Sequence, residues 1–383
     1  MALDIETRDQ LIATVARFVR ERLVPLEDKV AEDDAMPPGI VDEMRGLGLF
    51  GLSIPAEYGG LGLTTEEEVR VVFELGQTAP AFRSTFGTNV GIGSQGLVMD
   101  GTEEQKNRYL PKLASGETIS CFALTEPEAG SDAGSLTTSA RRKGNGYVLN
   151  GTKRYITNAP QAGLFTVFAR TNAEEPGARG VSAFLVEAGT PGLTVGKAER
   201  KMGQHGAHIA DVIFDDCQVP ASALLGGAEN QGFKTAMKVL DRGRLHISAL
   251  CVGIAERLIR DSLAYAMERQ QFGKPIAEFQ LVQAMLADSR VEAYAARCMV
   301  LDAAVRRDAG DNVGTEASCC KLFTSEMVGR VADRAVQIHG GAGYVADHGV
   351  ERFYRDVRLF RLYEGTSQIQ QLIIARDMIR EAT

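Results

Sequence analysis

The 383-residue chain is predicted to be an α+β protein, with helices first, a β-domain in the middle and a helical bundle at the end. Apolar residues recur at spacings near three and four up to about residue 118 and again beyond about residue 231, as amphipathic helices require. Between those limits the runs are short, β-branched and aromatic, and glycine-rich turns separate them. At about 150 residues per domain, the length allows two to three compact units. The expected divisions are 1–118, 119–230 and 231–383.

In the first unit Leu11, Ile12, Val15, Phe18, Val19 and Leu23 form one helical face. Pro37-Pro38-Gly39 breaks the chain, and Tyr58-Gly59-Gly60-Leu61-Gly62 marks a loop. In the second unit Phe165-Thr166-Val167-Phe168 and Val181-Ser182-Ala183-Phe184-Leu185-Val186 read as strands. Turns are expected at Gly144-Asn145-Gly146, Asn150-Gly151 and Glu175-Pro176-Gly177. In the third unit Phe233 to Gln270 reads as one helix, ended by Phe272-Gly273-Lys274-Pro275. Further helices are expected over about 279–309, 314–338 and 367–381, and antiparallel helices of this length suggest a four-helix bundle. No internal repeat or low-complexity segment interrupts this outline.

Hydrophobic residues make up 44% and charged residues 24%, as in ordinary soluble proteins. A net charge of −8 argues against nucleic acid as the main partner. The six cysteines have no CxxC spacing and read as reduced, mostly buried thiols. No apolar run reaches the roughly 18 residues that a membrane span needs. The opening Met1-Ala2-Leu3-Asp4-Ile5-Glu6 has no basic leader character, so a cytoplasmic, bacterial protein is expected. The five histidines show no metal-ligand spacing.

Gly91-Ile92-Gly93-Ser94-Gln95-Gly96 spells GxGxxG, but no β-rich run precedes it, and a dinucleotide fingerprint needs that strand. Close helix packing and an open space beside a ligand are the two readings left. Cys121 to Asp132 is a strand-like run closing in a loop of small hydroxyl residues, Gly and Pro, which offers backbone donors to a polar ligand or is a surface turn. In Lys153-Arg154-Tyr155-Ile156-Thr157-Asn158, Tyr155 and Thr157 lie two apart and share a strand face, fit to meet a flat heteroaromatic ring. Arg269 closes a long helix, where it either complements the helix dipole or clamps a pyrophosphate. Gln337 to Tyr344 is a helix end rich in glycine. Ser367 with Gln370 fits a capping box, which places Glu364 on the turn before the last helix.

Taken in order, Leu124-Thr125-Glu126-Pro127 to Asp132, Tyr155-Ile156-Thr157-Asn158, Arg269-Gln270-Gln271-Phe272-Gly273, Gln337-Ile338-His339-Gly340-Gly341 and Tyr363-Glu364-Gly365-Thr366 resemble the acyl-CoA dehydrogenase family over nearly the whole chain. The resemblance implies a β-barrel-like middle domain, bound FAD and a homotetramer built as a dimer of dimers. It assigns flavin contacts to Phe122, Thr125, Tyr155 and Thr157. Arg269 and Phe272 match residues that hold the FAD of a neighbouring subunit, and Gln337, Gly341, Thr366 and Gln368 also match FAD positions. Ser131, Asp241, Arg244 and Gly365 match substrate-binding positions, and Glu364 matches the catalytic base. Some relatives carry that base at the position of Gly243 instead. Tyr155 departs from the tryptophan of many members, which leaves stacking on the flavin intact.

The implied reaction is α,β-dehydrogenation of an acyl-CoA to a trans-2-enoyl-CoA. Glu364 takes the α-proton, the flavin N5 takes the β-hydride, and an electron-transferring flavoprotein is the expected acceptor. The same chemistry on an acyl-carrier-protein thioester and a non-catalytic partner subunit in a mixed tetramer are the alternatives. The segment Phe86 to Met99 falls where members line the acyl cavity. Its glycines read either as room for a long or branched chain or as close packing.

Overall fold

The structure is a computed structural model, and it describes residues 2–383. The chain opens with α1 (Ile5–Phe18), α2 (Glu27–Asp33), α3 (Pro38–Gly46), α4 (Thr65–Leu75), α5 (Pro80–Val90), α6 (Gln95–Asp100) and α7 (Glu103–Ala114). Their boundaries follow from local chemistry. Asp4 caps α1 by accepting from Thr7 N, and Thr64 and Thr102 close capping boxes with Glu67 and Gln105. Pro38 and Pro80 stand at first helical positions, where the missing N–H has no partner to lose. The expected apolar stripe points inward, with Val15, Phe18, Val19 and Leu23 buried in the helical core.

One sheet forms the middle of the chain. Its strands are β1 (Ser120–Ala123), β2 (Ser139–Lys143), β3 (Gly146–Thr157), β4 (Leu164–Arg170), β5 (Val181–Glu187), β6 (Leu193–Val195) and β7 (Ile209–Pro220). The path runs β1–β4–β2–β3–β7–β6, with β5 antiparallel on β4. β2 meets β4 only at Ser139–Arg170, and the sheet curls there. Every residue from Leu164 to Ala169 and from Val181 to Val186 is buried, so both faces of β4 and β5 are covered. Phe165, Val167, Phe184 and Val186 fill the interior of the curl, while Leu164, Phe168, Val181 and Leu185 pack outward against Leu97, Leu110 and Leu113. Asn150-Gly151 is not the expected turn. It lies within β3, at a register shift against β7, where an inserted residue strengthens the twist.

The helical period then returns in α8 (Gly232–Glu268), α9 (Gln280–Asp308) and α10 (Gly314–His339). The short α11 (Gly341–Tyr344) and α12 (Val350–Val357) precede α13 (Ser367–Ala382). α8 packs on α9 and α10, and α10 on α13, as the expected bundle requires. The 37-residue α8 also reaches the first helices, where Gly253 meets the end of α4. A Cβ on Gly253 would clash with Phe73 O and lie 2.8 Å from Gly76 Cα. Gly253→Ala should therefore destabilise the fold by about 1–3 kcal/mol, the cost of overpacking, read as a lower midpoint in chemical denaturation with an unchanged slope.

Candidate active site

Glu364 sits on the turn between α12 and α13 with φ of 53°, a left-handed conformation that few side chains adopt. Its neighbours hold it there. Gln370 Nε2 donates to the carbonyls of Glu364 and Gly365, each at 3.2 Å, and Lys321 Nζ reaches Gly365 O from α10. The cap of α13 is Thr366, whose hydroxyl accepts from Ile369 N at 3.2 Å. The expected capping box at Ser367 is thus replaced by a simple cap one residue earlier, and Ser367 Oγ donates to Glu326 instead.

The carboxylate of Glu364 is turned inward. Its Oε2 is shut off from solvent and makes no hydrogen bond among the described residues. It lies against Gly243 of α8, where an added Cβ would come within 2.5 Å of Oε2 and 3.6 Å of Ile92 Cγ2. A side chain at 243 and an inward Glu364 thus exclude each other. Burial pushes the Glu364 carboxyl above the ordinary range, while the charges of Arg83, Lys321 and Arg244 pull it partly back. Burial also drives the Lys321 ammonium down to about 8. Arg244 is buried and pairs with Asp241 at 2.5 Å, one turn back on α8.

The other expected site residues fall in two further groups. The loop after β1 is fastened to β3, with Arg154 N donating to Thr125 O at 2.8 Å. The fully buried Lys153 donates to Leu124 O at 3.1 Å and to Glu126 at 2.8 Å. Burial alone would raise the Glu126 carboxyl, but Lys153 and donors from Thr137 and Thr138 hold it at about 2. This clamp fastens the loop that carries Thr125, just after Phe122 of β1, to the strand that carries Tyr155 and Thr157, while Ser131 is exposed further along the loop. A second register shift lies between Lys153 and Ile156, which both point inward, so strand alternation does not run simply through Tyr155. Tyr155 has φ of 58° and is 57% exposed, with Thr157 half-buried. An exposed ring on the strand that also carries Thr157 suits a flat heteroaromatic cofactor.

Arg269, Phe272, Gln337 and Gly341 cluster where α8 and α10 end, with Tyr265 stacked on His339 at 4.3 Å. Arg269 forms no ion pair among the described residues, and Phe272 is 93% exposed at the tip of a hairpin. Gln368 is exposed on the first turn of α13. Sequence reasoning missed Arg83 and Lys321, and it read Gln370 only as a capping-box partner of Ser367. The available signal for Arg83 was a charge inside Pro80–Val90, whose residues are all buried.

The glycines at 93 and 96 do not open a cavity wall. A Cβ on Gly93 would clash with Ser120 Oγ, and one on Gly96 would lie 3.2 Å from Thr235 Cγ2. They let the 91–96 segment pack on β1 and α8, so the expected room for a long or branched chain is not theirs to provide.

Three family models match the chain in sequence order. They are the acyl-CoA dehydrogenase N-terminal domain over residues 5–117, the middle domain over 121–217 and the C-terminal domain over 230–379. The chain is 43% identical to acryloyl-CoA reductase (NADH) of Anaerotignum propionicum, over 98% of this chain and 95% of that protein. It is 39% identical to the caffeyl-CoA reductase-Etf complex subunit CarC of Acetobacterium woodii, over 98% of this chain and 99% of that protein. The structure of butyryl-CoA dehydrogenase from Megasphaera elsdenii superposes with a TM-score of 0.94 at 34% identity, covering 99% of this chain and 100% of that one. PigA with FAD and proline superposes with a TM-score of 0.94 at 30% identity, covering 99% of each chain.

Lys153→Met would leave Glu126 buried without its counter-charge. Breaking such a pair from one side costs about 3–5 kcal/mol. The variant should unfold at lower denaturant and retain less FAD after gel filtration than the parent protein.

Proposed function

The chain belongs to the acyl-CoA dehydrogenase family, and from that premise we propose that it dehydrogenates an acyl-CoA between the α- and β-carbons, with Glu364 as the base. It is an oxidoreductase acting on acyl-CoA, with FAD as its cofactor. The observation that carries the proposal is the inward, solvent-shielded Oε2 of Glu364, which has no hydrogen bond to give up before it accepts a proton.

Glu364 takes the α-proton as a carboxylate and becomes a neutral acid, so the proton stays on its carboxyl oxygen. An α-proton is acidic enough only if negative charge on the thioester oxygen is stabilised as it forms. The N–H of Glu364 has no acceptor within the described residues and is free to serve that oxygen. Gln370 and Lys321 fix the turn, so carboxylate and N–H keep one relative geometry. Thr125, Tyr155, Thr157 and Phe122 would hold the isoalloxazine ring, and Thr366 and Gln368 would contribute from the base's side. FAD, when bound, accepts the β-hydrogen with its electron pair. Asp241, Arg244, Gly365 and Ser131 would hold the thioester and its pantetheine. In the reverse direction the protonated Glu364 returns the same proton.

Arg269, Phe272, Gln337 and Gly341 face outward, which fits a contribution to the FAD of a second subunit in a homotetramer. The physiological acceptor proposed is an electron-transferring flavoprotein, in line with the Etf complex to which CarC belongs. No described helix is long and apolar enough to cross a membrane, and the cysteines are all free, which suits a reducing cytoplasm.

In Glu364→Gln, anaerobic bleaching of the flavin by acyl-CoA should slow by roughly 10²–10⁴-fold with FAD retained; a rate within threefold of the parent would remove Glu364 from the role. Because the folded carboxyl keeps its proton to higher pH than a solvated one, the parent's bleaching rate should fall as pH drops through a value above 4.5 and level off above it. Reduction only by a carrier-bound acyl group would redirect the proposal to acyl-carrier-protein substrates. Sedimentation should give a mass near four times the 41.3 kDa chain.

A further inference from the structure

Helix α5 places one charge deep in the protein beside the proposed base. Arg83 is only 8% exposed, and all of Pro80–Val90 around it is buried. Its Nε donates to His246 Nε2 at 2.8 Å, and His246 Nδ1 is 2.6 Å from Glu68 Oε1. Arg242 Nη2 closes the row on the other oxygen of Glu68 at 2.6 Å. With Nε2 accepting, His246 is neutral and its Nδ1–H donates to Glu68. This row fixes the guanidinium through Nε alone. Its Nη1 and Nη2 have no acceptor among the described residues, and no carboxylate lies within ion-pair distance.

The location follows from α8. Gly243 and His246 are three residues apart and share a helix face. The first lies against the Glu364 carboxylate and the second holds Arg83. Gly87, one turn along α5, leaves space for the guanidinium, since a Cβ there would lie 2.7 Å from Arg83 Cζ. A buried guanidinium normally has a partner for each edge, and its paired N–H groups match a carboxylate.

We propose that the Nη edge of Arg83 receives a carboxylate at the far end of the acyl group, so that the substrate is the CoA thioester of a dicarboxylic acid. The proposal rests on the dehydrogenase reading and specifies its substrate. Glu68 and His246 act as positioning residues. They hold Arg83 by Nε and leave Nη1 and Nη2 without a protein acceptor among the described residues, available to the ligand.

The test is anaerobic flavin bleaching of the intact holoprotein by matched thioesters: succinyl-, glutaryl- and adipyl-CoA against butyryl-, pentanoyl- and hexanoyl-CoA. At least one dicarboxylic thioester should be preferred by about 100-fold or more over its unsubstituted partner, because an unsubstituted chain would cover the Nη donors without pairing them. In Arg83→Met that ratio should collapse or invert with FAD retained, and Arg83→Lys, which keeps the charge without the fork, should fall between. Faster bleaching of the parent by the unsubstituted thioesters, or a ratio unmoved in Arg83→Met, would overturn the proposal and leave the dehydrogenase intact. Bleaching by neither series would overturn the dicarboxylic proposal, and the dehydrogenase reading with it if carrier-bound acyl groups also fail to reduce the flavin.

Discussion

A carboxylate withdrawn from water must be compensated, and Glu364 is compensated at a distance. Arg83, Lys321 and Arg244 surround it, and none comes within ion-pair range among the described residues. A direct pair would lower the carboxyl and occupy the oxygen that has to accept a proton. The observed arrangement raises it and leaves Oε2 unengaged. Around that arrangement the rest falls into place. Gly243 is bare because the carboxylate fills the space beside it, and Lys321 is spent on the carbonyl of Gly365 and so steadies the turn instead of neutralising the base.

The sheet meets a related demand by the opposite means. Glu126 and Lys153 are in direct contact and fully paired, and their role is to fix a loop to a strand. The pair is bonded on every side by Thr137, Thr138 and Leu124 O, which is what makes a buried ion pair tolerable. Two buried carboxylates in one chain thus sit at opposite ends of the range. Glu126 is held at about 2, while Glu364 is raised by burial.

Much of the architecture was legible in the sequence, because helical period and strand alternation are local properties. The long α8, the strands β4 and β5, and the turn carrying Glu364 before the last helix fall where pattern places them. The misses occurred where backbone conformation or long-range contact decides. Asn150-Gly151 looks like a hairpin turn, yet pairing with β7 turns it into a bulge. Ser367 was the expected cap, but it donates to Glu326 and Thr366 caps the helix in its place. The glycines at 93 and 96 carry no sign of what they touch, and Ser120 and Thr235 are distant in sequence. Of the site, the motif residues were visible in the chain. Of the cations around the base only Arg244 was named, as a substrate position; Arg83 and Lys321 were not, because they reach the base from two other helices, distant in sequence.

Helix α8 presents Gly243 to the base, His246 to Arg83 and Gly253 to α4, and it delivers Arg269 to the surface hairpin. Each added residue in a helix turns everything beyond it by about 100° and advances it by about 1.5 Å. A single insertion early in α8 would therefore rotate all of these groups off their partners together, whereas a substitution disturbs only one. The helix behaves as a ruler whose markings cannot be respaced, so an added or lost residue would be far better borne by a loop such as 171–180, outside its span.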